Sequence, residues 1–575
     1  MKFKKWIPGI MLGTMMTAMT AVPVLAGNIN SSSTPPRIEF SRVSSTSADS
    51  SSGGDSGKVY DFKDSKTSGA VVVTKTWDDS LSNDERSVPD ISISTAKPSK
   101  NPMGYTIIYH ENGLTFSDGS TENEMLVSNS GKILSGSYKI PDGLFAGWYS
   151  DKACTKRVEV DSYGLPVDGL VSDMELYAKT MTFVLKKGSG FNKLIPSTAT
   201  SVVFSDEIMP SSAELIDVDA DSDKGIVAWM DGTTMVVSTQ MPNQKIIASA
   251  DCSSMFYSKS KLVSINFNNL DTSNVTDMRG MFRGDKGLTD LNVSPLDTNK
   301  LQKADGMFKE CSSLTSLDLS MLNFQNVYQV SDYIRSSYYD SYSCSYGSMF
   351  EDCQSLTSLK LPKLSSKIED LAFMFSDCYK LTNLDLTPLD TSNVTTMAGM
   401  FEYCTKLLDL DVSSMNTRRV TDGRAMFKGC SSLTSLDLSM LNFKNLSKVS
   451  DWKKDGNSYN QSTGAMFEMC SSLKTLKLPE LTNKITNLAY MFDYCSKLSS
   501  VDFSQFDTSN VTDMHAMFSS CYSLKILYLG DKFSFIGSDY LLAAGTWYSS
   551  NGTAFTSNGK SCTIPNNKAD TYTRR

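Results

Sequence analysis

Two insertions hold most of the residues able to recognise a partner. The first carries Tyr328, Tyr333, Tyr338, Tyr339, Tyr342 and Tyr346, the second Trp452 and Tyr459. Rings on loops supply large contact area at small entropic cost, which is the chemistry of binding surfaces. The alternative is that these rings fold back and pack on the chain beneath. A row of carboxylates, Asp318, Asp385, Asp411, Asp437 and Asp502, recurs at one strand position. Like charges on adjacent strands repel, so the row reads either as a surface kept for a basic partner or a cation, or as a solvated face. Lys360 and Lys477 interrupt the row and suit the second reading. A third cluster, Asp217, Asp219, Asp221 and Asp223, alternates carboxylates as calcium loops do. Ser222 and Ala228 stand where an EF-hand has Gly and Glu, so an ordinary acidic loop competes with calcium. No cofactor motif is present.

Catalytic chemistry has little material. The chain has two histidines, His110 and His515, far apart, and no segment spaces an acid, a base and a nucleophile recognisably, which makes an exported hydrolase a remote alternative. With 55 Lys+Arg against 63 Asp+Glu the net charge is -8, which argues against nucleic acid as a partner.

The elements that position these residues are repeats. Met-Phe recurs at Met255, Met281, Met307, Met349, Met374, Met400, Met426, Met466, Met491 and Met517, mostly 25 or 26 residues apart. In the unit from Leu381 to Cys404, the Leu-x-x-Leu-x-Leu alternation predicts a strand with inward leucines. Met397, Met400, Phe401 and Cys404 follow at spacings of three and four, which predicts one helical turn. A 25-residue unit cannot bury both its faces alone, so the expectation is an α/β leucine-rich-repeat solenoid of about ten 26-residue coils. Residues 311–324 recur almost unchanged as 430–443, so a four-repeat block is duplicated and both insertions leave it at the same place. Eight cysteines, Cys311, Cys353, Cys378, Cys404, Cys430, Cys470, Cys495 and Cys521, share one register. They read as buried thiols in preference to disulfides. Asn274, Asn393 and Asn510 lie in N-x-T sequons and read as side chains tying down a recurring turn.

These units resemble the BspA-like leucine-rich repeats of bacterial surface proteins, through Asp-Thr-Ser-Asn-Val-Thr at Asp271, Asp390 and Asp507 and through Met-Phe-x-x-Cys. Phe145-Ala146-Gly147-Trp148-Tyr149-Ser150-Asp151 with Cys154 resembles the internalin-type B-repeat, a β-grasp-like module. Val71 to Asp79 resembles the opening of a collagen-adhesin B-type domain.

The expected organisation is a signal peptide at 1–26, with cleavage after Ala26. A Ser/Gly-rich disordered tether follows at 27–69. A short β segment at 70–103, the B-repeat module at 104–180 and an N-terminal cap at 181–250 lead into the repeats at 251–530 and a C-terminal cap at 531–575. The mature chain has no candidate transmembrane segment. The resemblance implies a secreted or cell-surface, non-catalytic adhesin that binds host extracellular or cell-surface glycoproteins, or neighbouring bacterial cells. A structural envelope spacer or self-associating surface-layer component is the alternative.

Overall fold

A computed structural model describes the strands Met19–Leu25, Ile38–Phe40, Phe62–Asp64 and Ala70–Lys75 and residues 104–575, apart from 336–341, 456–457, 462 and 482. Contacts divide the chain into two units. The first comprises Met1–Ile108, Asn123–Tyr138 and Asp161–Glu175. In it Met19–Leu25 runs antiparallel to Ala70–Lys75, Ile38–Phe40 to Phe62–Asp64, and Glu122–Ser128 to Ile133–Ser135.

The second unit comprises Tyr109–Glu122, Lys139–Val160 and Leu176–Arg575. Near its start Phe145–Tyr149 pairs antiparallel with Arg157–Val158 and with Met174–Thr180. Trp148 lies buried there, its ring 4.9 Å from Tyr109 and 5.0 Å from Phe145. Segment 104–180 forms strands and turns without a helix, so it lacks the element that would make it β-grasp-like. Further on, Val227–Asp231 and Thr234–Ser238 form a tight hairpin through Gly232, whose φ of 58° suits a residue without Cβ. Ser201–Ser205 lies parallel to both Thr234–Ser238 and Ser264–Asn266, which passes the sheet to the first repeat.

The expectation of an α/β leucine-rich-repeat solenoid is overturned. Regular structure is nearly all β, divided among several small sheets. Among the described residues the one α-helix is Gly188–Asn192. The Met-Phe stretches are successive turns, and their backbone shows why. Left-handed residues flank each one, as Gly399 and Tyr403 (φ 60° and 55°) flank Met400-Phe401, and a helix cannot propagate through such residues. The amides are also divided between two uses. Met400 N–H bonds back three residues to Met397, while Phe401 N–H donates to Met426 in the next repeat at 2.9 Å. A helix would spend all of these amides within itself; here every second one ties neighbouring repeats together.

The side chains of these turns build the core. Phe256, Phe282, Phe308, Phe350, Phe375, Phe401, Phe427, Phe467, Phe492 and Phe518 form one run of stacked rings, with centroids 5.4 to 6.1 Å apart. The cysteines of the shared register are buried free thiols. Each donates to the carbonyl of a Phe in the preceding repeat, as Cys404 does to Phe375 at 3.2 Å and Cys470 to Phe427 at 3.1 Å. In the first two repeats Lys259 and Asp285 take this register. Burial pushes the Asp285 carboxyl up to about 9, against the pull of Lys259.

Candidate functional site

The two insertions are β-hairpins held at the neck by an aspartate. In the first, Ile334–Arg335 pairs with Tyr342–Ser343, and the Asp332 carboxylate accepts the N–H groups of Ser345, Tyr346 and Gly347 at 2.9, 2.8 and 2.7 Å. In the second, Lys453–Asp455 pairs with Ser458–Asn460, and Asp451 accepts those of Thr463 and Gly464, both at 2.8 Å. Asp332 and Asp451 occupy equivalent positions of the duplicated block, so the same clamp appears twice.

The residue after each clamp turns inward. Tyr333 donates its hydroxyl to Glu351 at 2.7 Å and packs 4.5 Å from Phe373. Trp452 donates its indole N–H to Glu468 at 3.0 Å and stacks 4.0 Å from Tyr490. These two rings anchor the loops to the repeats. Tyr346 is half-buried under the Arg279 guanidinium, 4.8 Å from its ring. Tyr328 is exposed, at 42%. Tyr338 and Tyr339 lie outside the described residues, as do the side chains of Tyr342 and Tyr459.

The aspartate row has a local cause. Asp318, Asp385, Asp411, Asp437 and Asp502 each accept the backbone N–H two residues on, at 2.8 to 3.0 Å, and so close the turn after their strand. Lys360 pairs with Asp318 at 2.7 Å and Lys477 with Asp437 at 2.6 Å, which holds both carboxyls at about 2. The lysines of this face are therefore neutralised by its acids.

In the acidic loop, Asp219, Asp221 and Asp223 converge, with ligand atoms all within 4.8 Å of one another. Asp217 stands apart, paired with Lys186 at 2.9 Å. The Lys179 ammonium, 2.5 Å from Asp221 and 3.7 Å from Asp223, already supplies a positive charge to the cluster. Gly225 N–H donates to both Asp219 and Asp223 at 2.8 Å. Asp219 is fully buried, and its Oδ1 has no hydrogen-bond partner. Burial first, and then Asp223 beside it, push its carboxyl up to about 8. A proton on Asp219 meets this crowding as well as a bound cation would.

A further set of residues emerges only when the repeats are aligned on the turn after the strand. At its fourth position the chain reads Asn274, Lys300, Asn326, Lys367, Asn393, Arg419, Asn445, Lys484 and Asn510, amide and cation in strict alternation. Each cation donates to the preceding repeat's Asn: Lys300 to Asn274 at 2.7 Å, Lys367 to Asn326 at 3.0 Å, Arg419 to Asn393 at 2.9 Å and Lys484 to Asn445 at 2.6 Å. Asn326, Asn393, Asn445 and Asn510 in turn donate to backbone carbonyls one repeat back, as Asn393 does to Ser366 and Asn510 to Asn483, both at 2.8 Å.

Residues 233–341, 344–467 and 461–527, together just over half of the chain, match the family model described as "Mycoplasma protein of unknown function, DUF285". The chain belongs to this family. The matched segments take in the second insertion, the first apart from Tyr342 and Ser343, the aspartate row and all nine positions of the amide–cation alternation. No curated protein matches the chain. Among solved structures it is similar to a TLR13–ssRNA13 complex, at 17% identity over 51% of this chain and 48% of that one, with a TM-score of 0.18. It is also similar to the Toll–Spatzle complex of Drosophila, at 13% identity over 50% of this chain and 42% of that one, with a TM-score of 0.16. The chain thus spans less than half the length of either. No helix among the described residues is long and apolar enough to cross a membrane.

Proposed function

We propose that this protein is an exported, non-catalytic surface protein of BspA-like type, which binds host or neighbouring-cell macromolecules through its repeats. The observation that carries this reading is the division of labour within each repeat. Buried positions recur as Leu, Met, Phe and Cys, and alternate amides lock each repeat to the next, so exposed positions vary on a surface already held in place. A preorganised surface loses little entropy on binding. The two histidines have packing roles: His110 pairs with Glu122 at 3.1 Å and stacks on Tyr177, and His515 pairs with Asp539 at 3.2 Å beside Tyr490. Export is supported by the lysine-rich, apolar start of the chain, and sequencing of the secreted protein should find Gly27 first.

The test is binding of residues 27–575 to immobilised matrix glycoproteins, mucins and cell walls. A variant with Tyr328, Tyr338, Tyr339 and Tyr459 changed to Ala, which spares the anchors Tyr333 and Trp452, tests the insertions. Saturable binding weakened in a still-folded variant supports the reading; no saturable binding to any of these surfaces refutes it. Met321 and Met440, exposed at 79% and 76% at equivalent positions of the duplicated block, favour self-association as the second reading. A concentration-dependent oligomer abolished by changing both to Gln would establish it.

A further inference from the structure

The alternating turn position treats its cations differently from the strand face. On the strand face Lys360 and Lys477 are paired with carboxylates. At the turn edge Lys300, Lys367 and Arg419 form no ion pair among the described residues; each is held by a neutral Asn side chain, and Lys484 donates to Asn445 in the same way. An amide oxygen orients a cation without cancelling its charge. All four cations are exposed. They stand two repeats apart, so with strands about 4.8 Å apart their spacing along the edge is about 10 Å. Arg418, Lys444 and Lys363 flank them, against the exposed acids Glu369 and Asp390 and the half-buried Asp271, Asp297 and Asp507 of the same turns. A chain of net charge -8 thus carries one ordered line of cations, of which Lys300, Lys367 and Arg419 are held by neutral amides in place of carboxylates.

Two clefts open along this line and share Lys367. The first, ≈ 380 Å³, is lined by Thr276, Lys300, Gln302, Asn326, Tyr328 and Lys367. The second, ≈ 630 Å³, is lined by Lys363, Ser365, Ser392 and Asn416, with one carboxylate, Asp390, beside the two lysines. Their walls offer amides and hydroxyls between the cations, and Tyr328 offers an exposed ring.

We infer that this edge binds a linear acidic polysaccharide carrying one carboxylate or sulfate per disaccharide. The inference rests on the binding function proposed above and names its partner class. A cation every 10 Å suits a sparsely charged polymer; nucleic acid, with a phosphate about every 3.4 Å per strand, presents far denser charge to an acidic protein. Hydroxyl-rich sugars between the charges match the amide and hydroxyl lining, and a sugar ring can lie on Tyr328.

The test uses the full chain and immobilised hyaluronan, which has one carboxylate per disaccharide, beside neutral dextran and single-stranded oligodeoxythymidylate. The variant combines Lys300→Gln, Lys367→Gln, Arg419→Gln and Lys484→Gln. The control combines Lys360→Gln and Lys477→Gln, and circular dichroism checks the fold of both. Expected are binding to hyaluronan that weakens with salt, none to dextran, at least tenfold weaker binding in the fourfold variant and unchanged binding in the control. Equal binding by the fourfold variant overturns the inference, as does tighter binding to the oligonucleotide. Binding to the glycoprotein and cell-wall surfaces without binding to hyaluronan overturns this inference and leaves the proposed function standing.

Discussion

Arg424 is the sharpest test of how the second insertion is held. It is 1% exposed, and its guanidinium reaches Asp422 at 2.8 and 3.0 Å and Asp451 at 3.2 Å. Asp451 is also the clamp that receives the N–H groups of Thr463 and Gly464. Arg424→Met keeps much of the volume and leaves two buried carboxylates facing each other. Removing one partner of a buried network costs about 3–5 kcal/mol. At about 1.4 kcal/mol per tenfold, that corresponds to roughly two to four powers of ten in local opening. Hydrogen exchange at the amides of Thr463 and Gly464, read by mass spectrometry or NMR, measures this opening directly, whether or not the whole unit unfolds in one step. Arg424→Lys should lose less, because an ammonium keeps the charge but cannot span both acids. Adding Asp422→Asn and Asp451→Asn to Arg424→Met should recover part of the loss, since the stranded charges are then gone. The duplicated block provides a natural comparison: Asp305 stands where Arg424 does, fully buried with both carboxylate oxygens unpartnered, and burial pushes it up to about 7. If Arg424→Met left exchange at Thr463 and Gly464 within tenfold of the parent, the account of the clamp would be refuted.

Asp285 makes stability depend on pH. Its carboxyl is raised to about 9 by burial, so the folded chain holds this proton more tightly than the unfolded chain, whose value is near 4. The contribution is complete below about pH 4 and is lost as pH rises through about 9, so Asp285→Asn should flatten the fall in melting temperature between pH 6 and 9. An unchanged fall would show that other groups govern it. Thiol titration with an aromatic disulfide reagent should find one fast thiol in the native protein, at exposed Cys344, abolished by Cys344→Ser, and all twelve in denaturant without reductant. Fewer than twelve would mean disulfides. The double change Lys360→Ala and Lys477→Ala should alter stability by no more than about 1 kcal/mol per pair in chemical denaturation, because both pairs are exposed.

Much of the repeat's interior was legible in the residues. Period-2 leucines, the Met-Phe pair and the single Cys per repeat are apolar or small residues at fixed register, and burial follows from the hydrophobic effect whatever local backbone they adopt. The duplicated block and the paired insertions were equally plain; of the sequon asparagines, Asn393 and Asn510 do bond backbone carbonyls, but in the preceding repeat and not in their own turn. The local backbone of the Met-Phe stretch was not legible. Spacings of three and four mark one face of a helix and also one face of consecutive tight turns. What decides between them is whether each amide bonds within its own turn or to a residue about 25 positions away.

Side-chain direction in the insertions belongs to the tertiary structure in the same way. The residues alone left open whether Tyr333 and Trp452 face a partner or fold back; Glu351 and Glu468, placed beside them by the fold, draw their polar ends inward. The aspartate row was visible as charge, while its role in closing turns depended on backbone geometry. The sequence by itself determined which residues would be buried together, how often they would recur and where the insertions leave the array. Only the tertiary structure decided that the repeats close by turns, and that alternate repeats present a cation held by a neutral amide. That pairing links residues of neighbouring repeats, and proximity across repeats is set by stacking.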